Sequence, residues 1–229
     1  MKKNKWQSIR SYFEDVYLES TSSEHNRELH VLLSAGRYQL CTSNAVYSYE
    51  DKYVNFRKSF EWIKWDELSI DKVLILGLGL GSVPQMLEQV FGRSFEYHAV
   101  EIDEVIIELA HKYVLEDLNS PMQIFNTDAL HYVNLCQDRY DMIIMDVFDS
   151  DKVPLCFETQ AFLDQIERIL SPAGFLLFNR LNVTEADHED TLKYYENVFA
   201  PKFPNGSCSS VEANYMLNSR KEVFALRNS

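Results

Sequence analysis

The chain has 229 residues, of which 46% are hydrophobic, and this suits one domain of ordinary size with a small appendage. Its formal net charge of −13 disfavours nucleic acid and anionic membrane surfaces as partners, while a small cationic substrate remains compatible with it. No apolar run is long enough to span a bilayer, and the Lys-rich start lacks the apolar core of a signal peptide, so we expect a cytoplasmic protein.

The first 66 residues are predicted to form a small, strand-rich N-terminal arm. Residues 28–33 and 37–41 flank a Ser-Ala-Gly turn and are typical of a β-hairpin, and a further alternating segment lies at 46–50. Residues 53–65 are the expected connecting helix. The second unit of the chain is then 67–229.

The next segment, at 72–76, is an apolar strand that opens directly into three alternating glycines, Gly77, Gly79 and Gly81. Such a turn allows the backbone to come close to a ligand. Ser82 stands where the dinucleotide fingerprint needs a glycine, and no Lys-Ser or Lys-Thr pair follows, so NAD and P-loop sites are disfavoured. We expect the turn to hold another nucleoside, and the alternative is a tight turn without a ligand.

Strands and helices alternate after the glycine turn. The predicted strands lie at 95–100, 122–125, 140–145 and 175–178. The predicted helices lie at 83–91, 103–114, 158–170 and 191–199. Two final strands, near 207–212 and 222–226, are predicted to pair as an antiparallel hairpin at the sheet edge. This order predicts an α/β protein with a Rossmann-like, doubly wound, mostly parallel sheet.

Acidic residues stand where three of these strands end: Glu101 and Asp103 after 95–100, Asp128 after 122–125, and Asp146 after 140–145. Glu101 lies 20 residues after Gly81, which is where α/β nucleoside sites place the carboxylate that accepts hydrogen bonds from ribose hydroxyls. Asp103 is predicted to be a helix N-cap rather than a ligand. Asp146 is either a general base or simply a cap or hydrogen-bond acceptor at a strand end.

The four cysteines are scattered and no histidine has metal-ligand spacing, so we expect reduced thiols and no bound metal.

Residues 32–179 resemble the spermidine synthase family, aminopropyltransferases built on the class I S-adenosylmethionine-binding (methyltransferase) fold. Residues 100–106 are similar to the family's V-E-I-D-x-x-V-I segment, Asp128 and Ala129 match its acidic-small pair at the adenine, and 140–146 match the strand that ends in the catalytic aspartate. Residues 146–154 look still more like the D-x-F-x-x-D-x-[IV]-P loop of uncharacterised spermidine synthase-like proteins.

The resemblance implies a role for each matching position. It places Glu101 and Ile102 at the nucleoside, Gln39 at the methionine-derived end of the cofactor, and Asp146 at the reacting group. The cofactor is then S-adenosylmethionine or its decarboxylated form. The expected acceptor-site residues are Tyr47, Tyr49, Glu50 and Asp149, although alternating aromatics in a strand are often core and a loop acid is often only solvated.

Two positions depart from the family pattern. Leu80 stands where the family has the aspartate that faces cationic amines, and Ser48 stands at the tyrosine that lines the diamine tunnel. A buried ammonium without its counter-charge costs several kcal/mol, so decarboxylated cofactor and diamine are expected to bind poorly. We therefore predict an S-adenosylmethionine-dependent methyltransferase that acts on a small acceptor, for which an amine is one candidate. A homodimer is one candidate for its assembly. The alternatives are an aminopropyltransferase and a non-catalytic nucleoside-binding protein.

Overall fold

A small antiparallel sheet forms the N-terminal arm in the computed structural model, which describes residues 4–42, 45–149 and 152–225. The elements of the arm are α1 (Lys5–Arg10), β1 (Val16–Thr21), β2 (Leu29–Ser34), β3 (Arg37–Cys41) and β4 (Val46–Ser48), with strand order β1-β2-β3-β4. The predicted hairpin is confirmed as β2 and β3, whereas α1 and β1 were not predicted. A 3-10 turn at Glu50–Lys52 then leads into α2 (Val54–Trp62), which is shorter than predicted.

The main sheet has seven strands in the order β10-β11-β9-β8-β5-β6-β7. Its strands are β5 (Lys72–Leu76), β6 (Glu96–Glu101), β7 (Met122–Asn126), β8 (Tyr140–Met145), β9 (Leu170–Leu181), β10 (Ser207–Val211) and β11 (Asn214–Asn218). The helices are α3 (Ser82–Gln89), α4 (Glu104–Tyr113), α5 (Ala129–Leu135), α6 (Gln160–Ile169), α7 (Glu185–Tyr194) and α8 (Ala200–Lys202). Strands β5 to β9 pair in parallel, so the predicted α/β class and mostly parallel sheet are confirmed.

The C-terminal hairpin was predicted with the wrong second strand. Its strands are β10 and β11, joined by a tight turn at Glu212 and Ala213, and Glu212 has a φ of +53°. Because β11 lies between β9 and β10, its apolar centre is buried and shows no alternation with polar residues. Lys221–Val223 instead forms a 3-10 turn, and Leu226 lies outside the described residues.

Helix α7 begins earlier than the predicted helix at 191–199 because a capping box starts it. The Thr184 side chain accepts a hydrogen bond from the Asp187 backbone, and the Asp187 side chain accepts one from the Thr184 backbone. The helix continues as a π-turn over Tyr195–Phe199. None of the helices in the described residues is long and apolar enough to cross a membrane.

Alternate residues of the main sheet fill two separate apolar clusters, one on each face. A third cluster joins the arm to the main unit, and it packs Leu33 and Leu40 of the arm against Leu80 and against Ile106 and Leu109 of α4. The chain runs from β5 to β6 and β7 on one side and returns to β8 on the other side. Parallel sheets bind ligands at such a switch point, outside the carboxyl ends of the strands.

Candidate functional site

The glycine turn follows β5 at the switch point, and its three glycines have positive φ angles of 88°, 54° and 88°. A Cβ atom on Gly77 would lie 2.3 Å from the backbone oxygen of Asp146, at the end of β8. On Gly79 it would lie 3.1 Å from the Tyr47 carbonyl oxygen, and on Gly81 it would lie 2.6 Å from Leu115. Glycine therefore lets the end of β8, the arm and the segment after α4 close around the turn.

Glu101, the last residue of β6, is bound to this turn. One carboxylate oxygen accepts hydrogen bonds from the backbone N–H groups of Leu78 (3.1 Å) and Gly79 (3.3 Å), and the other accepts one from Asp103 (3.1 Å). Burial raises the pKa of Glu101, and the three backbone bonds act in the opposite direction. A buried acid beside a glycine turn is the arrangement that binds a ribose in α/β nucleoside sites.

Asp103 is the predicted N-cap and also ties the arm to the site. Its Oδ1 atom accepts a hydrogen bond from the Val105 backbone (3.0 Å), which confirms the cap. Its Oδ2 atom accepts hydrogen bonds from the Ser23 hydroxyl and from the Asn26 amide, the latter at 2.7 Å. The Tyr47 hydroxyl in turn donates to Asn26 (3.0 Å). The arm thus lies over the carboxyl end of β6.

Acidic charge surrounds the Tyr47 hydroxyl. Burial raises its pKa, and the negative charges of Asp149, Glu101 and Asp103 raise it further. Three carboxylates within electrostatic reach of one partly buried hydroxyl make this region favourable for a cation.

Asp146 follows β8 and is held by two hydrogen-bond donors. The Tyr53 hydroxyl donates to its Oδ2 atom (2.9 Å), and the Asn179 amide donates to its Oδ1 atom (2.8 Å). Burial raises the pKa of Asp146 to about 6, the charge of Glu101 adds to this, and the two hydrogen bonds oppose it. A carboxylate that titrates close to neutral pH is suited to take a proton from an amine as it reacts.

The predicted adenine residues lie at the ends of β6 and β7. Ile102 leaves 44% of its surface exposed, and its carbonyl oxygen accepts a hydrogen bond from the Asn126 amide (3.0 Å). Asp128 caps α5 by accepting a hydrogen bond from the His131 backbone (2.8 Å), and Ala129 is buried behind it. An exposed apolar side chain near a carboxylate can cover an aromatic base and accept a hydrogen bond from its amino group.

The other predicted site residues belong to the arm or to the loop after β8. Gln39 pairs with Leu32 in the arm sheet. The Tyr49 hydroxyl donates to the Ser34 hydroxyl (3.0 Å), and the buried Glu50 carboxylate accepts a hydrogen bond from the Tyr38 backbone (2.7 Å). Asp149 is exposed and forms an isolated bridge with Lys152, while residues 150 and 151 lie outside the described residues. The cofactor role of Gln39 and the acceptor-site roles of Tyr49, Glu50 and Asp149 stay predictions.

Leu80 and Ser48, the two departures from the family pattern, both join the arm to the glycine turn. Leu80 is 1% exposed and belongs to the apolar cluster between the arm and α4. The Ser48 and Ser82 hydroxyl oxygens are 2.6 Å apart, and Ser82 also accepts a hydrogen bond from the Tyr49 backbone (3.0 Å). Neither position provides a counter-charge for an ammonium group.

Four residues of the site were not predicted from the sequence: Ser23, Asn26, Tyr53 and Asn179. Asn179 directly follows the predicted strand at 175–178, so the rule that located Asp146 could also have located it. Tyr53 lies 93 residues before Asp146, and no local pattern pairs the two. Within the described part of the chain, no group of three or more His, Cys, Asp or Glu side chains has an arrangement that could hold a metal ion.

The chain is similar to known proteins in sequence and in structure. The Spermine/spermidine synthase domain profile matches residues 64–209. A polyamine aminopropyltransferase from Vibrio vulnificus is 32% identical over 133 residues, which cover 56% of this chain and 44% of that relative. The chain therefore spans less than half the length of this relative.

Two solved structures show the same main fold. Human Methyltransferase-like protein 13 in complex with SAH has a TM-score of 0.56 and 25% identity, covering 67% of this chain and 72% of its own. A probable spermidine synthase from Corynebacterium glutamicum has a TM-score of 0.72 and 17% identity, covering 92% of this chain and 82% of its own. The second likeness, at its low identity, concerns the fold alone.

Proposed function

The chain belongs to the spermine/spermidine synthase family, and from its site we propose that it is an S-adenosylmethionine-dependent methyltransferase acting on a small amine. The observation that carries the proposal is Asp146, a partly buried carboxylate at the switch point with a pKa raised to about 6. It lies beside a glycine turn whose neighbouring strand ends in the buried Glu101.

The residues at the strand ends fit a sulfonium nucleoside. Glu101 would accept hydrogen bonds from the ribose, Ile102 would cover one face of the adenine, and Asp128 would accept a hydrogen bond from its amino group. Gln39 of the arm would contact the amino-acid end. The human relative crystallised with SAH supports a ligand of this class.

The chemistry asks little of the protein beyond position and one base. The amine nitrogen attacks the methyl carbon in line, the carbon–sulfur bond breaks, and its electron pair stays on sulfur to give the thioether. The nitrogen must lose a proton, and Asp146 takes it. The acidic charge around Tyr47 favours entry of a cationic amine.

Methyl transfer is favoured over aminopropyl transfer by Leu80 and Ser48. A bare aminopropyl ammonium needs a counter-charge, and Leu80 provides an alkyl group buried in the apolar core. Intact S-adenosylmethionine carries its own carboxylate beside its amine. Aminopropyl transfer is the second candidate, because the family profile and the Vibrio vulnificus relative favour it.

The deciding experiment identifies the thioether product. The protein is incubated with a panel of primary amines and diamines, in parallel with S-adenosylmethionine and with its decarboxylated form. We expect S-adenosylhomocysteine from the first cofactor, and its loss in Asp146→Asn. Methylthioadenosine from the second cofactor would instead establish an aminopropyltransferase. Nucleoside binding without any product would indicate a binding protein.

A further inference from the structure

The Tyr53 hydroxyl reaches Asp146 from the junction between the arm and the main unit. Tyr53 is the N-cap residue of α2, and it directly follows the 3-10 turn at Glu50–Lys52. Its hydroxyl oxygen lies 2.9 Å from Oδ2 of Asp146. The contact joins residues that are 93 positions apart, so the position of the arm decides whether it forms.

Several contacts fix the Tyr53 side chain. The Glu50 carboxylate accepts a hydrogen bond from the Tyr38 backbone (2.7 Å), which ties the turn before Tyr53 to β3. The Tyr53 ring packs on the buried Phe56, with ring centroids 5.6 Å apart. Burial and the neighbouring Asp146 carboxylate raise the pKa of Tyr53, and a hydrogen bond from the Asn55 side chain to the Tyr53 hydroxyl opposes this, as a donor does. With Asn55 donating to the oxygen, the hydroxyl proton is directed at Asp146.

We infer that Tyr53 is a positioning residue for the base: its hydroxyl orients the Asp146 carboxylate and favours the charged form that accepts the proton of the amine. This inference rests on the proposed function. The groups that face Asp146 are the Tyr53 hydroxyl from the start of α2, the Asn179 amide from β9 and the Glu101 carboxylate from β6. Two donors therefore oppose, in part, the effects of burial and of one neighbouring negative charge on Asp146.

Through Tyr53, the arm would take part in catalysis in addition to covering the site. Ser48, which stands at the tunnel tyrosine of the family pattern, has its hydroxyl 2.6 Å from that of Ser82. Tyr53, which lies five positions after Ser48, instead places its phenolic hydroxyl against Asp146. Displacement of the arm would remove that donor and leave the base more easily protonated.

The experiment compares Tyr53→Phe with Tyr49→Phe. Both variants lose one phenolic hydroxyl from the same segment, but the Tyr49 hydroxyl is bonded to Ser34. The Asp146 carboxyl is titrated by carbon-13 NMR, with its signal assigned by its absence in Asp146→Asn. We expect the pKa of Asp146 to rise by about one pH unit in Tyr53→Phe and to stay unchanged in Tyr49→Phe.

The pH profile of kcat supplies the second measurement. In Tyr53→Phe, the acidic limb of this profile is expected to move to higher pH together with the pKa of Asp146, while KM for the amine stays the same. Asn55→Ala removes the donor to the Tyr53 hydroxyl oxygen. We expect it to raise the pKa of Asp146 by less than Tyr53→Phe does. Thermal unfolding checks that each variant is folded.

An unchanged Asp146 titration in a folded Tyr53→Phe protein would overturn the inference. Absence of turnover with every amine would defeat the proposed function, while the NMR titration would still decide the role of Tyr53.

Discussion

The carboxylate of Glu101 accepts a hydrogen bond from the backbone N–H of Leu78, at 3.1 Å, inside the glycine turn. The residue proposed to bind the ribose therefore also holds the turn on which the nucleoside would rest. Any change at Glu101 is expected to affect ligand binding and turn geometry together.

Glu101→Gln is expected to weaken the binding of S-adenosylhomocysteine at least tenfold. The amide keeps the size of the side chain but loses the charge, and hydrogen bonds to a charged acceptor are worth about 1.5–3 kcal/mol each. Isothermal titration calorimetry measures the change. Glu104→Gln, three positions later and exposed, is the matched control and is expected to bind like the wild type. If the wild type, Glu101→Gln and Glu104→Gln are all folded and bind with equal affinity, Glu101 does not bind the ligand.

Asp146→Asn is expected to abolish turnover and to stabilise the fold at neutral pH by about 1 kcal/mol. Burial raises the pKa of Asp146 to about 6, whereas an unfolded aspartate titrates near 3.9. The folded state therefore binds more protons between these values, so the stability from this group is full below about pH 4 and is lost as pH rises.

Urea unfolding from about pH 4 to about pH 7 measures this effect. The wild type should lose stability relative to Asp146→Asn across that range, and its kcat should fall as the pH is lowered through the pKa of Asp146, near 6. Parallel stability curves for the wild type and Asp146→Asn would contradict a raised pKa of Asp146 in the folded state.

Alanine substitutions at Gly77, in the glycine turn, and at Gly92 form a matched pair of variants. A Cβ atom there would meet the Asp146 carbonyl oxygen at 2.3 Å, whereas at Gly92 it would meet nothing within 4 Å, although both residues have positive φ. Gly92→Ala is expected to cost only the backbone strain, about 1 kcal/mol. Gly77→Ala should cost clearly more and should also displace Asp146, so that activity is lost. Chemical unfolding and the product assay measure the two effects, and equal losses of stability would contradict this account.

Much of the main sheet could be predicted because its buried parallel strands are short apolar runs that end at recognisable residues. The same rule located Glu101 and Asp146, since the carboxyl ends of parallel strands share one edge. Tyr53 and Asn26 could not be located in this way, because their partners Asp146 and Asp103 are distant in the chain and no periodicity encodes a tertiary contact. The same limit applies to Leu80, whose burial depends on how the arm packs.

Leu80→Asp is expected to destabilise the fold by about 3–5 kcal/mol, as an uncompensated charge in an apolar site does. Leu80 is 1% exposed among Leu33, Tyr38 and Ile106, so the new carboxylate would face the core. Leu135→Asp, at a position that is 63% exposed, is the control and is expected to change stability little. Urea unfolding of both variants measures the difference, and a Leu80→Asp protein as stable as the control would show that the arm opens to solvent there.

The wild-type protein is expected to bind intact S-adenosylmethionine more tightly than the decarboxylated form. With Leu80 buried in the core, the glycine turn offers no carboxylate at the position that neutralises an aminopropyl ammonium in the family pattern. The intact cofactor supplies that negative charge itself. A charge pair at about 4 Å and an effective dielectric near 20 is worth about 4 kcal/mol before desolvation, so we expect a net preference of about 1 kcal/mol, or roughly fivefold. Two calorimetric titrations on one protein measure it, and Leu80→Met, which keeps the core apolar, should keep the preference. Tighter binding of the decarboxylated form would mean that other acids near Tyr47 hold the ammonium, and it would favour aminopropyl transfer over methyl transfer.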